Sequence, residues 1–210
     1  SLKYFLLGAF ATGFLVYGMA LLYGAAGTTD LPRIVDHFPA LEGSAIFWAG
    51  MSLLFVGLAF KAAAVPFHMW VPDVYEGSPT CVSGFMSTGG KAAAFAALII
   101  VFGHSFAGGE RLRTVFAVIA ASSMVLGNIV AISQSNIKRM LAYSSIAHAG
   151  YILTGLAAGN DAGRIGVLYY VMSYAFMNLG AFGIAGLLER EGGGNLSIED
   201  YGGLSGRKPL

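Results

Sequence analysis

Two lysines lie inside apolar stretches that are long enough to cross a membrane. Lys61 lies near the end of the stretch Ala45–Ala63, and Lys91 lies near the middle of Thr80–Phe102. A lysine at the centre of a membrane helix costs about 2.5–3.5 kcal/mol on insertion scales, so it requires a hydrated or paired environment. Because burial disfavours the charged form of lysine, such a side chain can gain and lose a proton near neutral pH. The two lysines are therefore the first candidates for proton transfer inside a bilayer.

Polar neighbours accompany Lys91 on its own predicted helix. Ser87 and Thr88 precede it by four and three residues, which predicts that they share its helical face. Gly84 continues that face without a side chain. This pattern favours a hydrated path beside Lys91, although Ser87 and Thr88 also suit hydrogen bonds to their own helix backbone.

Pro66 predicts a break in the helix that contains Lys61. The stretch from Ala45 to Val71 would be about 40 Å long as one helix, which exceeds the roughly 30 Å hydrocarbon core. A proline within a helix also removes a backbone hydrogen bond, and interrupted helices in transporters expose backbone dipoles to the transported ion. His68 follows Lys61 by seven residues and can relay a proton near neutral pH. A cap on the broken segment is its alternative role.

Further polar side chains recur at helical spacing in the later apolar stretches. Side chains three or four residues apart share a helix face, so they could continue a polar axis across the bundle. The alternative role is packing between helices for the tyrosines and Asn178, and an interhelical hydrogen bond for His148. The set comprises His148 and Tyr151 in one stretch and Tyr170, Tyr174 and Asn178 in the next.

Six apolar stretches predict six membrane-spanning helices, since a helix needs about 20 such residues to cross the hydrocarbon core. Backbone polar groups in lipid must pair within the segment, which favours helices. The expected fold class is an all-α, polytopic transmembrane bundle. Lys3 flanks the first stretch, where its side chain could snorkel to the interface or take part in proton transfer. The predicted spans are Tyr4–Tyr23, Ala45–Ala63, Thr80–Phe102, Leu112–Ile132, Met140–Ala158 and Ile165–Leu188.

Composition excludes several other classes of protein. Charged residues make up 11% of the 210 residues, whereas soluble domains usually contain about 25%. A net charge of +1 gives no basis for a nucleic-acid partner. Cys81 is the only cysteine, so neither a disulfide framework nor a cysteine metal site is expected. We therefore expect no cofactor and no metal in this chain.

Two long segments have a specific pattern. They are VPFHMWVPDVYEGSP, at Val65–Pro79, and NIKRMLAYSSIAHAGY, at Asn136–Tyr151. Both resemble the antiporter-like, proton-translocating membrane subunits of respiratory complex I, NADH:quinone oxidoreductase. The resemblance implies an inverted-repeat fold, with three helices from the end of the first repeat in residues 1–103. Residues 104–210 would contain the three helices that open the second repeat and a following loop.

The same resemblance implies roles for individual residues. Lys61 and Lys91 correspond to proton carriers, and His68 corresponds to the histidine after the helix break. Lys3 matches a family lysine whose role is less well defined. NADH, FMN, iron–sulfur clusters and quinone would belong to partner subunits, and the partners would be other membrane subunits of complex I and the lipid bilayer. The resemblance also implies that the chain is a multi-pass protein of the bacterial inner membrane.

Two family features fall outside the sequence. The glutamate that pairs with the broken-helix lysine would precede Ser1, and the second broken helix would follow Leu210. We therefore expect the chain to be part of a longer protein. The alternatives are an Mrp-type cation/proton antiporter subunit, a membrane-bound hydrogenase subunit and a membrane scaffold that transports nothing.

Overall fold

The structure is a computed structural model that describes residues 2–103, 109–192 and 196–207, except for the side chains of 190–192, 205 and 207. The described residues form helices joined by turns and contain no β-strand, which confirms the predicted all-α fold class. A 3₁₀ turn lies at Ile198–Tyr201. The helices are α1 (Leu2–Ala26), α2 (Leu31–Asp36), α3 (Phe38–Leu41), α4 (Ala45–Ala62), α5 (Val71–Gly77), α6 (Thr80–Gly103), α7 (Glu110–Ile132), α8 (Ile137–Ala158), α9 (Asp161–Gly192) and α10 (Leu204–Arg207).

Each of the six predicted spans corresponds to one long helix. Within the described ranges, α1, α4, α6, α7 and α9 are long and apolar enough to cross a membrane. The remaining long helix, α8, has 22 residues but is more polar, because it contains Lys138, Arg139, Ser145 and His148. Many of its residues are buried against the other helices. This helix therefore brings polar groups into the interior of the bundle.

Aromatic rings connect three of the long helices. Phe55 of α4, Phe102 of α6 and Phe116 of α7 meet edge to face, with ring centroids 5.4–5.8 Å apart. Such pairs contribute about 0.5–1.5 kcal/mol beyond the burial of their surface. The cluster stabilises the side of the bundle where α4, α6 and α7 converge.

The predicted break lies between α4 and α5. Helix α4 ends at Ala62, and Ala63 adopts a left-handed conformation with φ of 63°. The chain then continues irregularly through Pro66 to the start of α5. Ser123 of α7 accepts a hydrogen bond from the backbone N–H of Val65 at 3.0 Å. Since an unpaired N–H is costly at membrane depth, this bond stabilises the break against α7.

Helices α7 and α8 cross at backbone contact. A Cβ atom on Gly127 would lie 2.6 Å from the backbone nitrogen of Ala147, and one on Gly150 would lie 2.7 Å from the carbonyl oxygen of Ala120. Neither distance leaves room for a carbon atom. Small residues allow this close approach of helices in membranes, and the crossing fixes the position of the polar side chains on α8.

We expect Gly127→Ala to lower the thermal stability of the membrane protein in detergent, because the new methyl group would force α7 and α8 apart. Alanine otherwise favours a helix over glycine by about 1 kcal/mol. Gly180→Ala in α9 is the matched control, since its Cβ would meet no atom within 4 Å. A Gly127→Ala protein as stable as the Gly180→Ala protein would contradict the close crossing.

Candidate functional site

Lys91 lies in the interior of the bundle, directly after a π-helical turn of α6 at Met86–Gly90. Only 2% of the residue is exposed. Its Nζ donates to the backbone carbonyl of Ser145 on α8 and lies 5.9 Å from the centroid of the Tyr174 ring on α9. Among the described residues, no carboxylate lies within ion-pair distance of Nζ. The charge of Lys91 therefore has no permanent partner there.

A buried hydrogen-bonded chain connects Tyr174 with α6. The side-chain amide of Asn178 donates to the Tyr174 hydroxyl at 2.9 Å and to Ser87 Oγ at 2.7 Å. All three residues are buried. Buried polar groups that satisfy one another fix a unique arrangement, so this chain fixes the Tyr174 ring beside Lys91.

None of the described hydrogen bonds joins Ser87 or Thr88 to Lys91. Both donate to the backbone carbonyl of Gly84, at 2.7 and 3.0 Å. They lie in the π-helical turn, whose wider winding changes the α-helical spacing on which the prediction of a shared face depends. Ser87 still joins the polar chain through Asn178, whereas the described hydrogen bonds of Thr88 stay within α6.

Beyond the Tyr174 ring lies a second polar set. The His148 ring centroid is 5.1 Å from that of Tyr174, and its Nδ1 is 2.8 Å from the Tyr170 hydroxyl. Tyr151 meets His148 edge on at 5.6 Å, and its hydroxyl accepts a hydrogen bond from Asn128 at 2.8 Å. Tyr151 and Asn128 are exposed. The set therefore connects the buried site with the outer face of α7 and α8.

Lys61 occupies a different environment, on the outer face of α4. Its side chain is exposed, and its Nζ donates to the Tyr4 hydroxyl of α1 at 3.2 Å. Both residues line an open groove of about 720 Å³ between α1 and α4. None of the hydrogen bonds described for Lys61 reaches Lys91.

His68 lies in the irregular segment after α4 and is only partly buried. In the part of the chain that the structure describes, no hydrogen bond or ion pair joins it to Lys61 or Lys91. The structure therefore places His68 near the break, as the sequence predicts, but without a described hydrogen bond to either lysine.

Aromatic residues lie between the Lys61 region and the buried site. The Trp70 ring lies 4.8 Å from that of Tyr4 and 6.2 Å from that of Tyr75. Its indole N–H donates to the carbonyl of Phe60 at 3.1 Å. Sequence reasoning did not select Trp70 or Tyr75, although both belong to the specific segment Val65–Pro79.

An ion network connects α1, α5 and α8 at one end of the bundle. Lys3 and Arg139 both pair with Asp73, the latter at 3.0 Å, and Arg139 also pairs with Glu76 at 2.7 Å. The Lys3 ammonium lowers the pKa of the Asp73 carboxyl, and Arg139 acts in the same direction. Lys3 thus lies in this network and not in the contacts of Lys61 or Lys91.

Lys138 is a buried lysine that the sequence did not reveal. Its side chain is 3% exposed, and its Nζ donates to the carbonyl of Ser78 at 2.7 Å and lies 3.9 Å from Glu189. Thr80 donates to the same carboxylate. Its position at the start of a helix gave no signal of burial, because helix ends are ordinarily exposed. Unlike Lys91, Lys138 has a carboxylate partner.

The chain matches, over residues 1–210, the family described as NADH:quinone oxidoreductase/Mrp antiporter, TM. NADH-quinone oxidoreductase subunit N of Salinibacter ruber is 52% identical over 100% of this chain and 42% of that protein. The protein of the same name from Mycobacterium tuberculosis is 47% identical over 100% of this chain and 40% of its own length. The chain therefore spans less than half the length of these relatives.

Three solved structures have a similar fold. Respiratory complex I from Thermus thermophilus with bound aureothin contains a chain with a TM-score of 0.73 and 43% identity, covering 88% of this chain and 39% of that one. An archaeal membrane-bound sulfane sulfur reductase contains a chain with a TM-score of 0.91 and 28% identity, covering 100% of this chain and 43% of that one. The Mrp complex from Dietzia contains a chain with a TM-score of 0.81 and 25% identity, covering 89% of this chain and 34% of that one.

We expect Asp73→Asn to lower the thermal stability at neutral pH. We also expect the stability of this variant to fall less than that of the parent when the pH is lowered. A carboxyl whose pKa is lowered by folding stabilises the protein above its unfolded pKa of about 4, and this contribution disappears as the pH falls through the lower, folded value. Thermal unfolding in detergent between about pH 3 and pH 7 measures both effects.

Asp36→Asn is the matched control, because Asp36 is exposed and takes part in none of the ion pairs among the described residues. Its acid profile should follow that of the parent protein. Parallel profiles for the parent and Asp73→Asn would show that the Lys3–Asp73–Arg139 contacts contribute nothing to folding.

Proposed function

Since the chain belongs to the NADH:quinone oxidoreductase/Mrp antiporter family, we propose that it forms part of a proton-translocating membrane subunit of complex I, of the subunit N type. The main support is Lys91, which is buried without a described carboxylate partner and adjoins a backbone carbonyl of α8 and the Tyr174 ring of α9. A lysine in such a site can alternate between its neutral and charged forms. That alternation is the chemistry that proton translocation requires.

The driving energy would come from other subunits. NADH, FMN, iron–sulfur clusters and quinone would act in those partners, and electron transfer there would change the electrostatic field at Lys91. In this view the chain belongs to a translocase but performs no redox chemistry itself. We place it as a multi-pass protein in the bacterial inner membrane, beside the other membrane subunits of the complex.

We propose a path for the proton through the chain, which the contacts around Lys91 support in part. Lys61, with its Tyr4 partner, would supply the proton, and His68 would assist beside the helix break. Lys91 would receive the proton at the centre of the bundle. From there Tyr174, His148 and Tyr151 would lead it towards the outer face of α7 and α8.

The position of this chain in a longer protein also follows the family pattern. We propose that residues 1–103 contain three helices from the end of one antiporter-like repeat and that residues 104–210 open the next. The rest of the longer protein would then complete the proton path, so this chain alone should not pump.

Two related functions are the alternatives. An Mrp-type antiporter or a membrane-bound hydrogenase would use the same lysines, but identities of 47–52% to proteins named subunit N, against 25% to the Mrp structure, favour complex I. Purification of the native particle tests this choice. Flavin, iron–sulfur clusters and NADH-dependent quinone reduction in the particle would support complex I, whereas a particle without redox centres would overturn it.

We expect Lys91→Met and Lys91→Arg both to abolish most NADH-driven proton pumping by the intact complex. Methionine keeps an unbranched side chain of similar size but cannot accept a proton, and arginine keeps its charge at all relevant pH values. Pumping into sealed membrane vesicles measures the effect, with subunit content as the test of assembly. Arg33→Gln is the control and should pump like the parent, because the Arg33 side chain is 71% exposed. Full pumping by both Lys91 variants would refute the proposed function.

Lys61→Ala should also impair pumping, because the proton would lose its carrier on the outer face of α4. Tyr4→Phe is an informative companion, since it removes only the hydroxyl that accepts the hydrogen bond from Lys61. We expect a smaller loss for Tyr4→Phe than for Lys61→Ala in the same vesicle assay. If Lys61→Ala pumped normally, the path would have to begin elsewhere.

A further inference from the structure

Two buried hydroxyl groups lack a hydrogen-bond partner among the described residues. They are the Tyr75 hydroxyl on α5 and Ser145 Oγ on α8. Both residues are completely buried. Since buried polar groups are almost always paired, two adjacent exceptions at the centre of the bundle require a physical explanation.

The two hydroxyls lie close to each other, and aromatic contacts connect Tyr75 with the partner of Lys61. The Tyr75 hydroxyl lies close to Ser145, although their geometry is not that of a hydrogen bond, and it is within electrostatic range of Tyr174 and Tyr4. Tyr4 is the partner of Lys61. The Tyr75 ring also contacts that of Trp70, which in turn contacts Tyr4. The pair therefore adjoins the Lys61 side of the bundle.

The other end of the pair adjoins Lys91. Ser145 provides the backbone carbonyl that accepts the hydrogen bond from Lys91 Nζ, so its hydroxyl belongs to the same residue that contacts the amine. Tyr174, whose hydroxyl lies close to Ser145, presents its ring to Nζ at 5.9 Å. The two unpartnered hydroxyls are thus located between the contacts of Lys61 and those of Lys91.

Packing does not explain the Tyr75 hydroxyl. The ring already contacts Trp70 at 6.2 Å and Phe182 at 5.9 Å between centroids, and phenylalanine would make the same contacts. A buried hydroxyl without a partner destabilises the folded state. Its presence is consistent with a role in which the partner is present only during function.

We propose that Tyr75 and Ser145 form a two-hydroxyl proton relay between the Lys61–Tyr4 pair and Lys91. This inference rests on the proposed function and adds residues to its path. Hydroxyl groups suit the task, because each can donate one proton while it accepts another.

The transfer balances without an oxidant or a co-reactant. The Lys61 ammonium releases a proton through Tyr4, and that proton binds the oxygen of Tyr75 as Tyr75 releases its own proton to Ser145 Oγ. Ser145 in turn releases its hydroxyl proton to the neutral amine of Lys91, which becomes an ammonium. Both hydroxyls are regenerated and must rotate back before the next transfer, so one proton moves and no bond other than O–H and N–H changes.

Tyr75→Phe in the intact complex tests the relay, since it removes the hydroxyl and keeps the ring. We expect NADH-driven pumping to fall by about a hundredfold, at the low end of the contribution of a positioned proton-transfer group, with subunit content unchanged. The ratio of pumping rates in H₂O and D₂O should rise, because proton transfer becomes limiting. A purely structural role would leave that ratio as it is in the parent.

Tyr169→Phe is the matched control, because Tyr169 is 75% exposed on α9; its pumping rate and isotope ratio should equal those of the parent. Lys91→Met, measured in the same way, distinguishes failure of the relay from failure of the proposed function. Loss of pumping in Lys91→Met with full pumping in Tyr75→Phe would overturn the relay alone, whereas full pumping in Lys91→Met would overturn the proposed function.

Ser145→Ala extends the test to the second hydroxyl. It keeps the backbone carbonyl that contacts Lys91, and it should reproduce both the lower rate and the higher isotope ratio. If Tyr75→Phe does not assemble, Ser145→Ala decides the question by the same two measurements. Normal pumping and a normal isotope ratio in an assembled Ser145→Ala complex would then refute the relay.

Discussion

The burial of the Lys91 amine is the constraint on which the rest of the structure depends. A lysine at bilayer depth is costly, and here it contacts one backbone carbonyl and one aromatic face. The surrounding helices supply those contacts: α8 contributes Ser145 and α9 contributes Tyr174. The polar chain through Asn178 and Ser87 then fixes the orientation of the Tyr174 ring.

Lys61, Lys91 and Lys138 differ mainly in the groups that their amines contact. Lys138 is as buried as Lys91, but Glu189 lies 3.9 Å away and balances its charge. Lys61 contacts only a phenol in the described structure and faces an open groove. Burial alone therefore does not identify a proton carrier. A buried lysine without a fixed opposite charge does so more specifically, because its protonation can respond to changes elsewhere in a complex.

The backbone features of the bundle serve the same site. The glycine crossing of α7 and α8 places Ser145 and His148 within reach of α6 and α9, and the hydrogen bond from Val65 to Ser123 attaches the helix break to α7. The ion network around Asp73 connects α5 with α1 and α8, which fixes the short helix that contains Tyr75. Close packing, the break and the ion pairs thus act together on one buried region.

The sequence by itself determined the six long helices, the break and the two intramembrane lysines. These features depend on local properties, namely runs of about 20 apolar residues, the missing N–H of Pro66 and the charge of lysine in such a run. It did not determine the contacts of Lys91 with Ser145, 54 residues away, or of Ser87 with Asn178, 91 residues away. The π-helical turn changed the expected face of Ser87 and Thr88, and only the packing of α5, α8 and α9 brought Tyr75, Ser145 and Tyr174 together. These contacts between helices depend on tertiary structure, because the spacing of residues along one helix contains no information about which side chains a neighbouring helix presents.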